Sequence, residues 1–446
     1  MKRFFETIRH IFSIEELKNR ILFTVGLLVI FRLGSYIVLP GIDPEILKQS
    51  AGSGPLDGLF NMIDLILGGA FNRASLFALG IMPYISASIV IQLLTVASPY
   101  FQKLQKEGES GRKKITQITR VLTILVTLGQ SIAYVNGTIP KEAIMIDFRF
   151  FTVSSMIILT SGTIFCMWLG EKITDRGIGN GISMLIMIGI IAVFPGAILQ
   201  EITSKVENDG LIIFILEAIA LFFVVMATVL LVQAIRRVPV QYAKQVVGES
   251  RRQRVGGQRS YIPLKVNASG VMPIIFAQAL MFAPPLVASA FSEKSDIAQY
   301  IQVAFSDFKS WEYNLTFAIL IILFTFFYTA ITVDPKRIAE DMKRSGGFIP
   351  GYRPGEETAD RIAWIIDRIT LPGAVFLAIV AILPAFASIA GVGDAFAQFY
   401  GGTSLLIMVG VIIDTLQQIN SYLLMRHYEG LMKSGKMRGT TDFASV

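Results

Sequence analysis

"LGIMPYISASIVIQLL", Leu79 to Leu94, decides how this chain is read. It is apolar enough and long enough for a membrane helix. Yet a proline stands near the start of its helical run, and Tyr84, Ser86, Ser88 and Gln92 interrupt its apolar surface. A second stretch, "SGVMPIIFAQALMFAP" (Ser269 to Pro284), opens the same way. Gly80-Ile81-Met82-Pro83 returns as Gly270-Val271-Met272-Pro273.

Outward from these two stretches, the chain has 446 residues, 53% of them hydrophobic, and a mean hydropathy of +0.59. Its apolar residues come in blocks of about twenty, the length that crosses the ~30 Å hydrocarbon layer at ~1.5 Å per residue. A lipid-exposed backbone must satisfy its own hydrogen bonds, so these blocks predict an all-α polytopic membrane protein. The alternating short strands of a membrane β-barrel are not seen. The single cysteine, Cys166, lies inside an apolar run and excludes an intramolecular disulfide. It reads as a small core residue. The first twenty residues are polar and charged, so no cleavable signal is expected and the first membrane helix serves as the uncleaved one.

Ten spans are predicted. The first five run over Ile21–Leu39, Ser75–Val96, Ile115–Val135, Phe150–Gly170 and Ile182–Leu199. The second five run over Leu211–Ile235, Ala268–Ala290, Leu315–Val333, Ile369–Ala390 and Thr403–Met425. With the N-terminus in the cytoplasm, the inside segments carry 31 of the 40 Lys and Arg residues and the outside segments 7. The positive-inside rule then puts both termini in the cytoplasm and accounts for the net charge of +7 without nucleic acid. The chain divides into a cytoplasmic segment 1–20, a five-helix half 21–200, a second half 201–425 and a tail 426–446.

Two inside loops, 236–265 and 334–368, are far longer than the usual 2–8 residue helix connection. The first carries eight basic residues against the single acid Glu249. Such surfaces suit a docking partner rich in acid or phosphate, or anionic lipid headgroups. In the outside segment 40–72, the apolar run after Asp57 is too short to span and ends at Gly68-Gly69. It suits a short amphipathic helix, on the surface or re-entering the membrane.

The repeated Gly-x-Met-Pro opens spans two and seven, five spans apart. An odd number of spans per half inverts the second half against the first, as in transport proteins. The prolines are expected to bend their helices, so that two kinked helices line a central passage. Charges within the spans are few: Arg32, Arg120, Glu217 and Asp414. Ion-coupled carriers concentrate such groups at mid-membrane, and no proton-relay series is present. The two histidines, His10 and His427, lie outside the spans. No nucleophile–base set, metal-ligand cluster or phosphate-cradling loop is visible. "GIGNG" (Gly177 to Gly181) lacks the lysine of such a loop and reads as a tight turn between spans four and five. No enzyme activity, cofactor or metal is expected.

Longer stretches carry a resemblance. "RASLFALGIMPYISASIVIQLL" (Arg73 to Leu94) and "WLGEKITDRGIGNGISMLI" (Trp168 to Ile186) resemble the two signatures of the SecY family, central subunits of protein-conducting channels. "KEGESGRKKITQITR" (Lys106 to Arg120), "PGYRPGE" (Pro350 to Glu356) and "GGTSLLI" (Gly401 to Ile407) resemble further stretches of it. The resemblance covers essentially the whole chain. It implies a pore ring of apolar side chains at Ile81, Ile85, Ile186, Ile190, Ile275 and Ile407. It implies a plug helix at about 57–70, including Leu59, Phe60, Asn61, Met62 and Ile63. It implies a lateral gate between spans 2/3 and 7/8, which gives Ser86, Ser88 and Gln92 a place at or near the seam. Arg353, with Arg251, Arg252 and Arg254, would dock partners. The partners implied are SecE, SecG, the motor ATPase SecA, the ribosome through its RNA, secretory and membrane preproteins, and membrane lipids. The location implied is the bacterial inner membrane.

Overall fold

The computed structural model describes residues 14–50, 64, 67–207, 210–242, 259–281, 284, 285, 288 and 296–433. Each predicted span falls on a helix. They are α1 (Glu15–Gly34), α2 (Met82–Ala97), α3 (Glu109–Thr138), α4 (Phe148–Arg176) and α5 (Gly181–Glu207). The second set is α6 (Leu211–Gln233), α7 (Met272–Met281), α8 (Trp311–Thr332), α9 (Glu356–Ile389) and α10 (Gly402–Lys433). Seven of them are long and apolar enough to cross a membrane by that measure alone. Of the rest, α1 carries Lys18, Arg20 and Arg32 among its apolar residues, α2 is followed after a 96° bend by the helix Pro99–Lys106, and α7 is short over its described residues.

The packing repeats itself with a shift of five helices. In the first set α2 lies on α3, α3 on α4, α4 on α5, and α1 against α4 and α5. In the second, α7 lies on α8, α8 on α9, α9 on α10, and α6 against α9 and α10. The third member of each set shows how polar residues are buried here. On α3, Thr119, Thr123, Thr127 and Ser131 form a buried stripe at four-residue spacing, and on α8 Tyr313, Phe317, Ile321, Thr325 and Thr329 do the same. The Thr123, Thr127 and Thr325 hydroxyls donate to the carbonyl four residues back on their own helix, at 2.7–2.8 Å. Each is thereby satisfied without a partner helix, which lets small side chains bring neighbouring helices close.

The repeated motif is also repeated in backbone form. The same succession of turns and bends leads into α2 over residues 76–81 and into α7 over 266–271. Gly80 (φ 49°) and Gly270 (φ 64°) both take the left-handed conformation that a residue with a Cβ avoids. The expectation that Pro83 and Pro273 bend their helices is corrected. Each is the second residue of its helix, where the N–H that proline lacks would have had no intrahelical partner. For the same reason α2 begins at Met82 and not at Ser75, and α7 at Met272 and not at Ala268. The prolines start these helices.

The two long loops meet in a sheet that the apolar-block reading did not predict. Strand β1 (Ile235–Tyr242) pairs antiparallel with β2 (Arg259–Lys265), Val238 opposite Ile262. It also pairs with β3 (Gly347–Phe348), Gln241 opposite Phe348. Val238 and Val240 point inward with Leu264, Met342, Ile349, Ile362 and Ile366 to form a small core. The alternating valines of "RRVPVQY" were the available signal.

The turn at "GIGNG" does join α4 to α5. It is tied to two other helices, since Ile178 N–H donates to Thr24 Oγ1 (3.1 Å) and Gly179 N–H to Gln418 Oε1 (2.9 Å). Cys166 is fully buried in the main core.

Candidate pore and seam

The start of α2 sets the site. With Pro83 fixing the first turn, Ile81 and Ile85 lie about one helical turn apart on one face. On α5, Ile186 and Ile190 have the same spacing. All six predicted isoleucines belong to one apolar cluster: Ile81, Ile186, Ile190 and Ile407 are buried in it, and the half-buried Ile85 and Ile275 pack against it. Four of them, Ile85, Ile186, Ile275 and Ile407, come from four different helices to line a single void of about 20 Å³. That is room for about one water molecule. Ile81 instead lines a neighbouring void of about 10 Å³ with Phe31, Leu67 and Leu185. Ile190 is fully buried in the cluster and lines neither.

Different surroundings flank the cluster. Further along α2, Ser88 and Gln92 face a cavity of about 1650 Å³. Its walls come from α3 (Arg112, Thr119), α7 (Phe276), α8 (Tyr328), β2 (Lys265) and the segment after α8 (Asp334, Arg337). At the other end, the last part of the predicted plug lies against Ile81. Leu59, Phe60, Asn61, Met62 and Ile63 lie outside the described residues, but Asp64 and Leu67–Gly69 are described. Leu67 is buried beside Ile81, Ile85 and Ile186. The Gly68 carbonyl accepts from Arg32 Nη1 at 2.8 Å and from Arg73 Nη2 at 3.0 Å. Both guanidinium groups stack on the Tyr36 ring, at 5.0 and 4.4 Å from its centroid. A Cβ on Gly68 would stand 2.9 Å from the backbone of Gly189, on α5 between Ile186 and Ile190, so a side chain there has no room. The Asp64 carboxylate accepts from the Phe71 and Asn72 N–H groups at 2.9 and 3.0 Å. Burial nonetheless holds its pKa above the usual carboxylate range.

The predicted seam residues separate. Gln92 reaches across to the second set of helices: its Oε1 accepts from Tyr328 Oη on α8 at 3.1 Å, while its Nε2 donates to Ser88 Oγ at 3.2 Å. Ser86 does not reach across. Its hydroxyl donates to the Met82 carbonyl of its own helix (3.1 Å), and it borders the isoleucine void. Tyr328, 5.6 Å from the Phe276 ring, was missed at the sequence level because a tyrosine in an apolar span gives no signal of its own.

Two of the charged residues of the spans, Arg120 and Glu217, form ion pairs. Arg120 forms a two-point ion pair with Glu171 (3.0 and 2.7 Å), joining α3 to α4. Glu217, 7% exposed, meets Lys205 Nζ at 3.0 Å. The same ammonium lies 3.5 Å from Glu201 and donates to the Gly391 carbonyl at 2.8 Å. Glu201 in turn accepts from Gly393 N–H at 3.1 Å. This cluster fastens the end of α5 to the start of α6 and to the turn between α9 and α10.

Of the predicted docking residues, Arg251, Arg252 and Arg254 lie outside the described residues. Arg353 is exposed, on a backbone held at both ends. Its N–H donates to Glu357 Oε2 (3.0 Å) and its carbonyl accepts from Thr358 Oγ1 (2.7 Å). The side chain is left to solvent on a fixed stem.

Known proteins resemble this chain over most of its length. The SecY family model matches residues 75–416. The protein translocase subunit SecY of Streptomyces coelicolor is 42% identical over 436 residues, covering 95% of this chain and 98% of that one. Two solved structures share the fold. One concerns the plug domain of the SecY protein, said to stabilise the closed state of the translocation channel and maintain a membrane seal (TM-score 0.62, 18% identity, 90% of this chain and 91% of that one). The other is Sec61 in the canine ribosome–channel complex from the endoplasmic reticulum (TM-score 0.59, 17% identity, 90% and 91%). Extent of match and helix order agree: the chain is a multi-pass membrane protein of the SecY family, channel-forming subunits of the protein translocase and not enzymes.

Proposed function

We propose that unfolded polypeptides cross the membrane through the void lined by Ile85, Ile186, Ile275 and Ile407, and that membrane segments leave sideways between α2/α3 and α7/α8. One observation carries this reading: isoleucines from both sets of helices converge on a water-sized gap, with a cavity of about 1650 Å³ on one side and the predicted plug's end on the other. Branched apolar groups around so small a gap exclude water and ions when closed, and can deform around a passing chain. The Gln92–Tyr328 hydrogen bond spans the proposed seam and is weak enough to part. The two five-helix halves, 21–200 and 201–425, are related by an inverted repeat in this reading. The plug reading of 57–70 is supported by Leu67 against Ile81 and by the two arginines on Gly68. Arg353 and the basic loops 236–265 and 334–368 face the cytoplasm of a bacterial inner membrane. There they receive the motor ATPase SecA and the ribosome, while SecE and SecG complete the channel.

A cross-linking measurement tests this. Cysteines replace Ile85 and Ile275 in a Cys166→Ser background, and a stalled secretory chain carries one cysteine of its own. Disulfides from the client to both positions are expected. Cross-links elsewhere on the protein, with none at either position, would refute passage through the isoleucine gap.

A further inference from the structure

Helix α9 enters its apolar run with an arrangement that the channel reading leaves unused. Trp364 is 44% exposed, with a guanidinium group on either side of it in sequence: the Arg361 and Arg368 Cζ atoms both lie 4.2 Å from its ring centroid. Arg361 also sits 5.2 Å from the Tyr352 ring. Neither arginine forms an ion pair among the described residues. Asp360 and Asp367 lie on the other side of Trp364 from the arginines, about 40–60° round the helix from it.

Below this cluster the same helix face turns apolar. From Trp364 the stripe continues through Arg368, Leu371, Val375 and Ile379, at helical spacing of three and four residues. The three aliphatic side chains are 53%, 41% and 54% exposed, left open by the described residues. A tryptophan and two arginines heading such a stripe sit where the headgroup layer meets the hydrocarbon. Stacking on the indole holds the guanidinium planes in place and leaves N–H donors for a phosphate.

We propose that Arg361, Trp364 and Arg368 form a binding site for an anionic phospholipid. Its phosphate would lie between the two guanidinium groups and one acyl chain along Leu371, Val375 and Ile379. The site rests on the membrane-spanning reading of α9 and not on the pore. Two guanidinium groups with free donors beside an apolar stripe favour a lipid, whose phosphate and acyl chain match both.

The test uses the complete channel complex in lipid vesicles and reads Trp364 fluorescence, isolated as the difference between the native protein and its Trp364→Phe variant. Vesicles contain phosphatidylglycerol or phosphatidylcholine with brominated, quenching acyl chains at equal mole fraction. Preferential quenching by phosphatidylglycerol is expected, falling by roughly fivefold for each charge removed in Arg361→Gln and Arg368→Gln. Arg361→Lys with Arg368→Lys should keep most of the preference and shows that loss is not misfolding. Equal quenching by both lipids, or a preference unchanged in the glutamine variants, would overturn the site. So would the absence of quenching by either, which would mean that protein covers the stripe. Client cross-linking at Ile85 and Ile275, measured on the same variants, reads the pore separately.

Discussion

The turns before α2 and α7 have the same backbone and different company. A Cβ on Gly80 would meet the Leu67 side chain at 2.5 Å, whereas one on Gly270 meets nothing within 4 Å. Both turns follow an insertion between the first and second helices of a set. In the first set it is the outside segment that ends in Leu67–Gly69; in the second it is the basic hairpin of β1 and β2. One set thus lays its insertion against the isoleucine cluster, and the other builds a surface with it. The repeat is a repeat of scaffold. The asymmetry of the molecule lies in what was inserted at one equivalent place.

Three sets of substitutions probe this comparison. The largest effect is expected where the sets are fastened together. Lys205→Met leaves Glu201 and Glu217 buried without their cation and should destabilise the protein by about 3–5 kcal/mol in a denaturant titration in micelles. Adding Glu201→Gln and Glu217→Gln should restore much of the loss, and failure to restore it would mean that charge is not what the lysine supplies. Next come the two turns. Gly270→Ala should cost about 1–2 kcal/mol for its left-handed backbone. Gly80→Ala should cost that plus about 1–3 kcal/mol for displacing Leu67. Equal costs would erase the distinction drawn between the insertions. The smallest effect belongs to the seam. A double-mutant cycle of Gln92→Leu and Tyr328→Phe should give a coupling of about 0.6 kcal/mol. A coupling of zero would mean that the hydrogen bond does not help hold the sets together.

Much of this was legible in the sequence, for physical reasons that also mark where reading stops. Blocks of apolar residues have one helical solution in lipid, so each predicted span lands on a helix. The i, i+4 isoleucines had to share a helix face once the helices were placed. The proline was misjudged because the same residue breaks a helix in its middle and starts one at its beginning, and only the preceding glycine turn distinguishes the two. Glu217 drew attention as a rare charge in a span, but its partner Lys205 stands near the end of the preceding helix, where nothing local links them. The sheet went unread because β1 and β2 are short strands flanking a charged loop, and β3 comes from a different loop altogether.

That sheet has a mechanical consequence. Residues 349–352 join β3 to Arg353, and residues 266–271 join β2 to α7. Between them stand β1 and two rows of backbone hydrogen bonds. A load applied at Arg353 is shared between α9, through Glu357 and Thr358, and the strands, which take their part as shear. It reaches α7 through a connection too short to take up much slack. The basic surface is a lever arm whose short end is a wall of the proposed seam.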